Sequence, residues 1–205
     1  MINNIKIIDN FLPSFIQDEL ENLCYKVPFY LSKESVGNIN CDKNLFIDKE
    51  QFVFHFWDHN HINDTISDLG QFGHYFLLPL QIAGIKENFT FNLTQNLTRA
   101  KVNLTYNNNS NSPQIKPPHR DYINAPDEVL SKMLVAIYYV NDSDGDTIIY
   151  NEKEKFEDLS KYTIKERISP KKGRLILFSG DWVHSASIPS YNHPKRVVIN
   201  YNICF

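Results

Sequence analysis

Two patterns of apolar and polar residues divide the chain. In the first half apolar positions recur at helical spacing; in the second they form short runs suited to strands. Ile5 to Ile8 reads as a short strand. Ser14-Phe15-Ile16-Gln17 then has capping-box spacing, with Asp18 and Glu19 in the first turn. Phe15, Ile16, Leu20, Leu23 and Cys24 share the face of the helix this predicts. Phe52 to Trp57 reads as a strand. A second helix is predicted over 66–78, with Ile66, Leu69, Phe72, Gly73, Phe76, Leu77 and Leu80 inward. Pro79 is expected to kink or end it.

From about Arg99 short β-rich runs follow one another, at 101–106, 115–119, 133–140, 147–150, 162–168, 174–178, 184–188 and 196–204. Turn material separates them: the Asn-rich stretch 107–113, Asp142-Ser143-Asp144-Gly145, and Pro170-Lys171-Lys172-Gly173. This succession predicts a mainly β fold with supporting N-terminal helices, arranged as a sandwich or jelly roll. The length of 205 residues suits one domain, with 1–98 as a buttress and 99–205 as the β core.

Composition narrows the classes. Hydrophobic residues make up 42% and charged residues 22%, as in a globular chain. The net charge of −3, without a basic run, argues against a nucleic-acid partner. Cys24, Cys41 and Cys204 are odd in number and lack paired spacing, which favours a reducing compartment. The first residues lack the apolar stretch of a signal peptide, and no run reaches membrane-spanning length. A cytoplasmic protein off the membrane is therefore expected. The Asn-x-Ser/Thr sequons at Asn88, Asn92, Asn96 and Asn103 then reflect Asn-rich composition. Oligomeric state is not legible.

The chemistry concentrates in His119-Arg120-Asp121, answered by His184 and Arg196. Side chains alternate along a strand, so His119 and Asp121 face one side if the strand carries through, and Arg120 faces the other. His184 comes from a different strand. Two imidazoles and a carboxylate on one face of an octahedral metal leave the other positions open, as in non-haem Fe(II) oxygenases. Arg196, at the start of an apolar strand, supplies a fixed cation for an acidic cosubstrate. Asn200 shares its face by alternation, placing it within reach of the cosubstrate or a metal ligand.

Around these residues stand Pro118-His119-Arg120-Asp121, Ala136 to Asn141, Gly145-Asp146-Thr147, Gly173 to Phe178, His184 and Arg196 to Ile199. With them the chain resembles the 2-oxoglutarate/Fe(II)-dependent dioxygenases, in particular their prolyl-4-hydroxylase-like branch. The likeness covers the C-terminal half and implies a double-stranded β-helix. It implies Fe(II) on His119, Asp121 and His184, and 2-oxoglutarate with its far carboxylate on Arg196, with Tyr139 nearby. Tyr138 would point to the opposite face and pack. The reaction implied is an O2-dependent hydroxylation that yields succinate and CO2. The substrate is a small molecule or a peptide: a peptidyl proline by family likeness, or a free amino acid or metabolite. Nucleic-acid demethylating relatives carry a further Arg after the cosubstrate Arg, and none occurs from Val197 to Phe205. The alternative of another class is a non-catalytic jelly-roll or cupin-like binding module.

Other clusters read more plainly. His55, His59 and His61 have the spacing of a second metal site but lack a matching ligand set. His74 reads as a boundary residue and His193 as a loop residue. Tyr106 is either a pocket or a core residue, and Trp182 either walls the pocket or packs.

Overall fold

The computed structural model describes residues 4–32, 51–58, 69–90, 92, 95–107, 114–122, 125–154, 156 and 158–205. Its strands are β1 (Lys6–Ile8), β2 (Tyr30–Ser32), β3 (Gln51–Asp58), β4 (Leu97–Tyr106), β5 (Met133–Tyr139), β6 (Thr147–Tyr150), β7 (Ile164–Ile168), β8 (Leu175–Ser179), β9 (His184–Ala186) and β10 (Lys195–Cys204). Two long helices, α1 (Ser14–Cys24) and α2 (Leu69–Glu87), precede β4. A seven-stranded sheet runs β1-β8-β5-β10-β4-β3-β2, and a three-stranded sheet runs β7-β6-β9. Of the sandwich and jelly roll that the strand pattern allowed, the fold is the jelly roll, the double-stranded β-helix that the resemblance implied.

The order of the large sheet explains its sequences. β5 lies between β8 and β10 and is buried along its whole length, so Met-Leu-Val-Ala-Ile-Tyr-Tyr is continuously apolar or aromatic. β10 alternates. Val197, Ile199, Tyr201 and Ile203 pack on the helical layer with Leu20, Cys24, Phe76 and Leu80. The Tyr201 hydroxyl donates to the Phe76 carbonyl there. The opposite face of the sheet packs on the small sheet, through Val135, Ile137, Tyr139, Ile149, Ile168 and Val198. Tyr138 lies in the first cluster and Tyr139 in the second, as alternation requires.

Four local expectations are corrected. Ser14 opens α1 but does not cap it: Pro13 occupies the N-cap, and no side chain caps the helix. The buried Gln17 amide instead donates to the Leu12 carbonyl at 2.6 Å, which turns Phe15 outward, 69% exposed. Pro79 does not end α2, which continues to Glu87. The buried Leu80 and Ala83 hold the next turns on the core, which offsets the roughly 3 kcal/mol a helical proline costs. The run 115–119 is not a strand, since Pro117 and Pro118 lack the N–H a ladder needs; only the bridges Ile115↔Ser187 and His119↔His184 form. Tyr106 ends β4 partly exposed against Phe52, with ring centroids 5.6 Å apart, outside the pocket. Ile66, and the side chains of Leu69 and Phe72, lie outside the described residues.

Candidate functional site

The inward face of β10 carries Arg196, Val198, Asn200 and Asn202. Its register partners on β4 are Thr105, Asn103, Lys101 and Arg99. On the other side β10 meets β5, with Val198 opposite Tyr139 and Asn200 opposite Ile137. β9 of the small sheet closes over this face. It brings His184 to His119 through reciprocal backbone hydrogen bonds of 2.9 Å.

His119, Asp121 and His184 converge, with one ligand atom from each lying within 4.8 Å of the others. Each imidazole Nδ1 sits 3.1 Å from a carbonyl two residues upstream, Pro117 for His119 and Trp182 for His184. A carbonyl can only accept, so each Nδ1 carries the proton and each Nε2 keeps its lone pair for a metal. Burial pushes the His119 pKa down to about 3, with the neighbouring His184 adding to the shift, so the ring is neutral as a ligand must be. Burial alone would raise the Asp121 carboxyl. Arg99, with the histidines and Lys101, outweighs that and holds it well below the usual carboxylate range.

Strand alternation does not align His119 with Asp121, because His119 forms only an isolated bridge with His184 and no strand runs through it. Arg99 and Asn202 hold Asp121 in the bend that follows, at 2.6 and 2.7 Å. Neither residue was singled out from the sequence. Both were within reach of it: Asn202 continues the Arg196–Asn200 alternation, and β4 reads polar at every second position from Arg99 to Thr105.

Arg196 is 4% exposed. Its Nε donates to the Gly145 carbonyl at 2.6 Å and its Nη2 to Thr147 Oγ1 at 2.8 Å. Thr147 Oγ1 also accepts from the Tyr139 hydroxyl at 2.6 Å, and the guanidinium lies 5.7 Å from the Tyr139 ring centroid. Burial draws the Arg196 pKa down, and burial raises that of Tyr139. Among the described residues no carboxylate pairs with Arg196. A buried guanidinium in this position is stabilised by a carboxylate arriving with a ligand. Asn200 Oδ1 and Asn103 Oδ1 are likewise buried without a partner, beside the same cavity of about 60 Å³. The donor set fits a divalent metal, and the Arg196 guanidinium fits the carboxylate of an oxo acid beside it.

The remaining candidates among the described residues fall outside this cavity. His55 stacks on Tyr30 at 5.8 Å, His74 and His193 are exposed, and His59 and His61 lie outside the described residues. Lys195 points away, its ammonium 5.2 Å from the Tyr25 ring centroid. Trp182 packs beside Phe178 and lines a separate groove of about 990 Å³. That groove is larger than the triad cavity but holds none of the converging ligands.

Residues 105–204 match the family model of the 2OG-Fe(II) oxygenase superfamily. No curated protein matches the sequence. Solved structures with this architecture include a Pseudomonas putida prolyl-4-hydroxylase, with a TM-score of 0.56 and 13% identity over 98% of this chain and 91% of that one. A Burkholderia pseudomallei oxidoreductase of the 2OG-Fe(II) oxygenase family aligns at 0.60 and 10%, over 98% and 84%. The α-ketoglutarate-dependent carbocyclase SnoK of nogalamycin biosynthesis aligns at 0.64 and 10%, over 98% and 79%. At such identities the likeness is one of fold.

Proposed function

From the membership of residues 105–204 in the 2OG-Fe(II) oxygenase superfamily, we propose that this chain is a hydroxylase. It would bind Fe(II) through His119, Asp121 and His184 and 2-oxoglutarate through Arg196, and use O2 to oxidise a small polar substrate. The observation that carries the reading is the convergence of the three ligand atoms beside a buried Arg196 that no carboxylate of the described chain neutralises. Fe(II) held there supplies the redox chemistry that couples decarboxylation of 2-oxoglutarate to hydroxylation, with succinate and CO2 as co-products.

The chain's own residues then have separable tasks. The Pro117 and Trp182 carbonyls fix the tautomers of His119 and His184. Arg99 keeps Asp121 ionised. Gly145 and Thr147 aim the Arg196 fork, whose remaining N–H groups meet the far carboxylate of the oxo acid. Tyr139 supports Thr147, which also accepts from Arg196, and the Asn200 amide NH2 would donate to the oxo acid between Arg196 and the triad. We read residues 1–205 as one oxygenase domain whose first part buttresses the large sheet. Among the described residues no helix is long and apolar enough to cross a membrane. The unpaired Cys24 and Cys204 support a cytoplasmic setting.

Gln51, Lys101, Asn103 and Lys116 line the cavity, and this polar wall favours a small polar or charged substrate. A peptidyl proline is the second reading, favoured by the likeness to the Pseudomonas putida prolyl-4-hydroxylase. Proline-rich peptides and free amino acids, screened side by side for mass gain of one oxygen, separate the two.

Anaerobic Fe(II) titration with 2-oxoglutarate tests the function itself. The expected result is a weak visible charge-transfer band that His184→Ala abolishes. Absence of the band with Fe(II) demonstrably bound would overturn the oxo-acid assignment and favour a binding module.

A further inference from the structure

Arg99, Asn202 and Asp121 close a ring of three side chains. Arg99 Nη2 donates to Asp121 Oδ1 at 2.6 Å, and Arg99 Nε donates to Asn202 Oδ1 at 3.0 Å. Asn202 completes the ring by donating through Nδ2 to Asp121 Oδ2 at 2.7 Å. Arg99 and Asn202 are register partners on β4 and β10, so the backbone sets their spacing. The guanidinium also lies 5.2 Å from the ring centroid of Tyr122, whose hydroxyl donates to Thr98 Oγ1 at 2.9 Å. The Asn202 amide has one tolerable orientation. Turned over, its oxygen would face a carboxylate and its NH2 a guanidinium, both repulsive.

The ring treats the two carboxylate oxygens differently. Oδ1 is held in an ion pair with Arg99 and turned to that side. Oδ2 lies 3.8 Å from His184 Nε2, on the side where the imidazole nitrogens converge. After its bond to Asn202 it retains a lone pair for a metal. Three protein ligands leave half of an octahedron open, and an oxo acid chelating through two atoms needs most of that space. A carboxylate that swung round to bind through both oxygens would take one of those positions.

We propose that Arg99 is a positioning residue that holds Asp121 as a one-oxygen metal ligand and so keeps the chelating position free for the oxo acid. This rests on the metal and 2-oxoglutarate assignments above. It assigns Arg99 a task apart from that of Arg196: one cation binds the cosubstrate, while the other keeps a protein ligand out of its place. Asn202 fixes the guanidinium in register, and its bond to Oδ2 keeps the carboxylate plane from rotating.

The test is an anaerobic Co(II) titration of the wild type, Arg99→Met and Arg99→Lys, followed by 2-oxoglutarate. Both dissociation constants and the cobalt visible spectrum are recorded, with circular dichroism to confirm folding. In Arg99→Met the expected result is retained Co(II), an altered cobalt spectrum before any oxo acid is added, and 2-oxoglutarate binding weakened about tenfold or more. Arg99→Lys keeps a cation on Oδ1 and recovers most of that affinity. If Arg99→Met does not fold, Asn202→Leu provides the second reading, with metal retained and the oxo acid weakened. An unchanged spectrum and unchanged 2-oxoglutarate affinity in folded variants overturn the proposal, as does joint loss of metal and oxo acid. A wild type that binds Co(II) but no 2-oxoglutarate fails the functional reading instead.

Discussion

The Nε–H of Arg196 donates to the carbonyl of Gly145 at 2.6 Å, tying the inner strand of the large sheet to the turn that begins the small one. A Cβ on Gly145 would stand 2.9 Å from Arg196 Cδ and 2.9 Å from the Ser187 carbonyl oxygen. Neither Arg196, locked at two donors, nor backbone can yield easily. Gly145→Ala should therefore displace the guanidinium and weaken 2-oxoglutarate about tenfold, the loss of roughly one charge-assisted hydrogen bond. Calorimetric titration checks it. Arg196→Ala should weaken binding more, and an unchanged affinity in that variant would mean the wrong cation was assigned.

Tyr139→Phe removes the bond from a fully buried hydroxyl to Thr147 Oγ1. The expected cost is about 1 kcal/mol of folding stability. Because Thr147 also accepts from Arg196, 2-oxoglutarate should weaken by about threefold, a fraction of that energy. Tyr138→Phe serves as the control: its hydroxyl lies in the helical layer, and cosubstrate affinity should not change.

The metal-free protein should lose stability as pH falls from near 6.5 towards 3. Over that interval His119 stays neutral in the fold, with a pKa of about 3 against an ordinary 6.5, while the unfolded chain takes up the proton. The contribution is complete above the unfolded value and lost on acidification. The slope is at most about 1.4 kcal/mol per pH unit. Urea unfolding of the metal-free wild type and His119→Gln at several pH values measures it, with a shallower dependence expected in the variant. Metal at neutral pH should raise the midpoint of the wild type only.

Gly173 adopts φ +77, and a Cβ there would meet the Gln17 amide at 2.3 Å. Gly173→Ala combines left-handed backbone strain with displacement of the side chain that bonds Leu12 at the start of α1. A loss of about 1–3 kcal/mol is expected in chemical denaturation, with metal affinity intact, because the turn lies outside the triad.

The ligand types at His119, Asp121 and His184, the cation at Arg196 and the inward direction of Asn200 were legible because residue chemistry and strand period are local. Strand alternation fixes which residues of β10 face together once the strand is recognised, and the apolar residues between them mark it. Reading β4 from Lys101 rather than Leu97 hid Arg99. The Ser14 capping box matched the sequence pattern, yet Gln17 had a better acceptor in Leu12, which folding alone brings near. Pro79 obeyed tertiary packing over its intrinsic preference, since Leu80 and Ala83 on the following turn are fully buried in the core.

The sequence by itself determined the strand pattern, the three ligand types and the cation on the last strand, because period and residue chemistry are local properties. Only the tertiary structure decided that Asp121, in a bend, is held by Arg99 of β4 and Asn202 of β10. It also decided that Arg196 is aimed by a turn of the opposite sheet, and that Tyr106 lies outside the cavity while Tyr139 reaches Thr147 at its edge. Those outcomes depend on which strands become neighbours. Antiparallel pairing of residues nearly a hundred positions apart is set by burying two faces of one sheet at once, and no short window of sequence contains it.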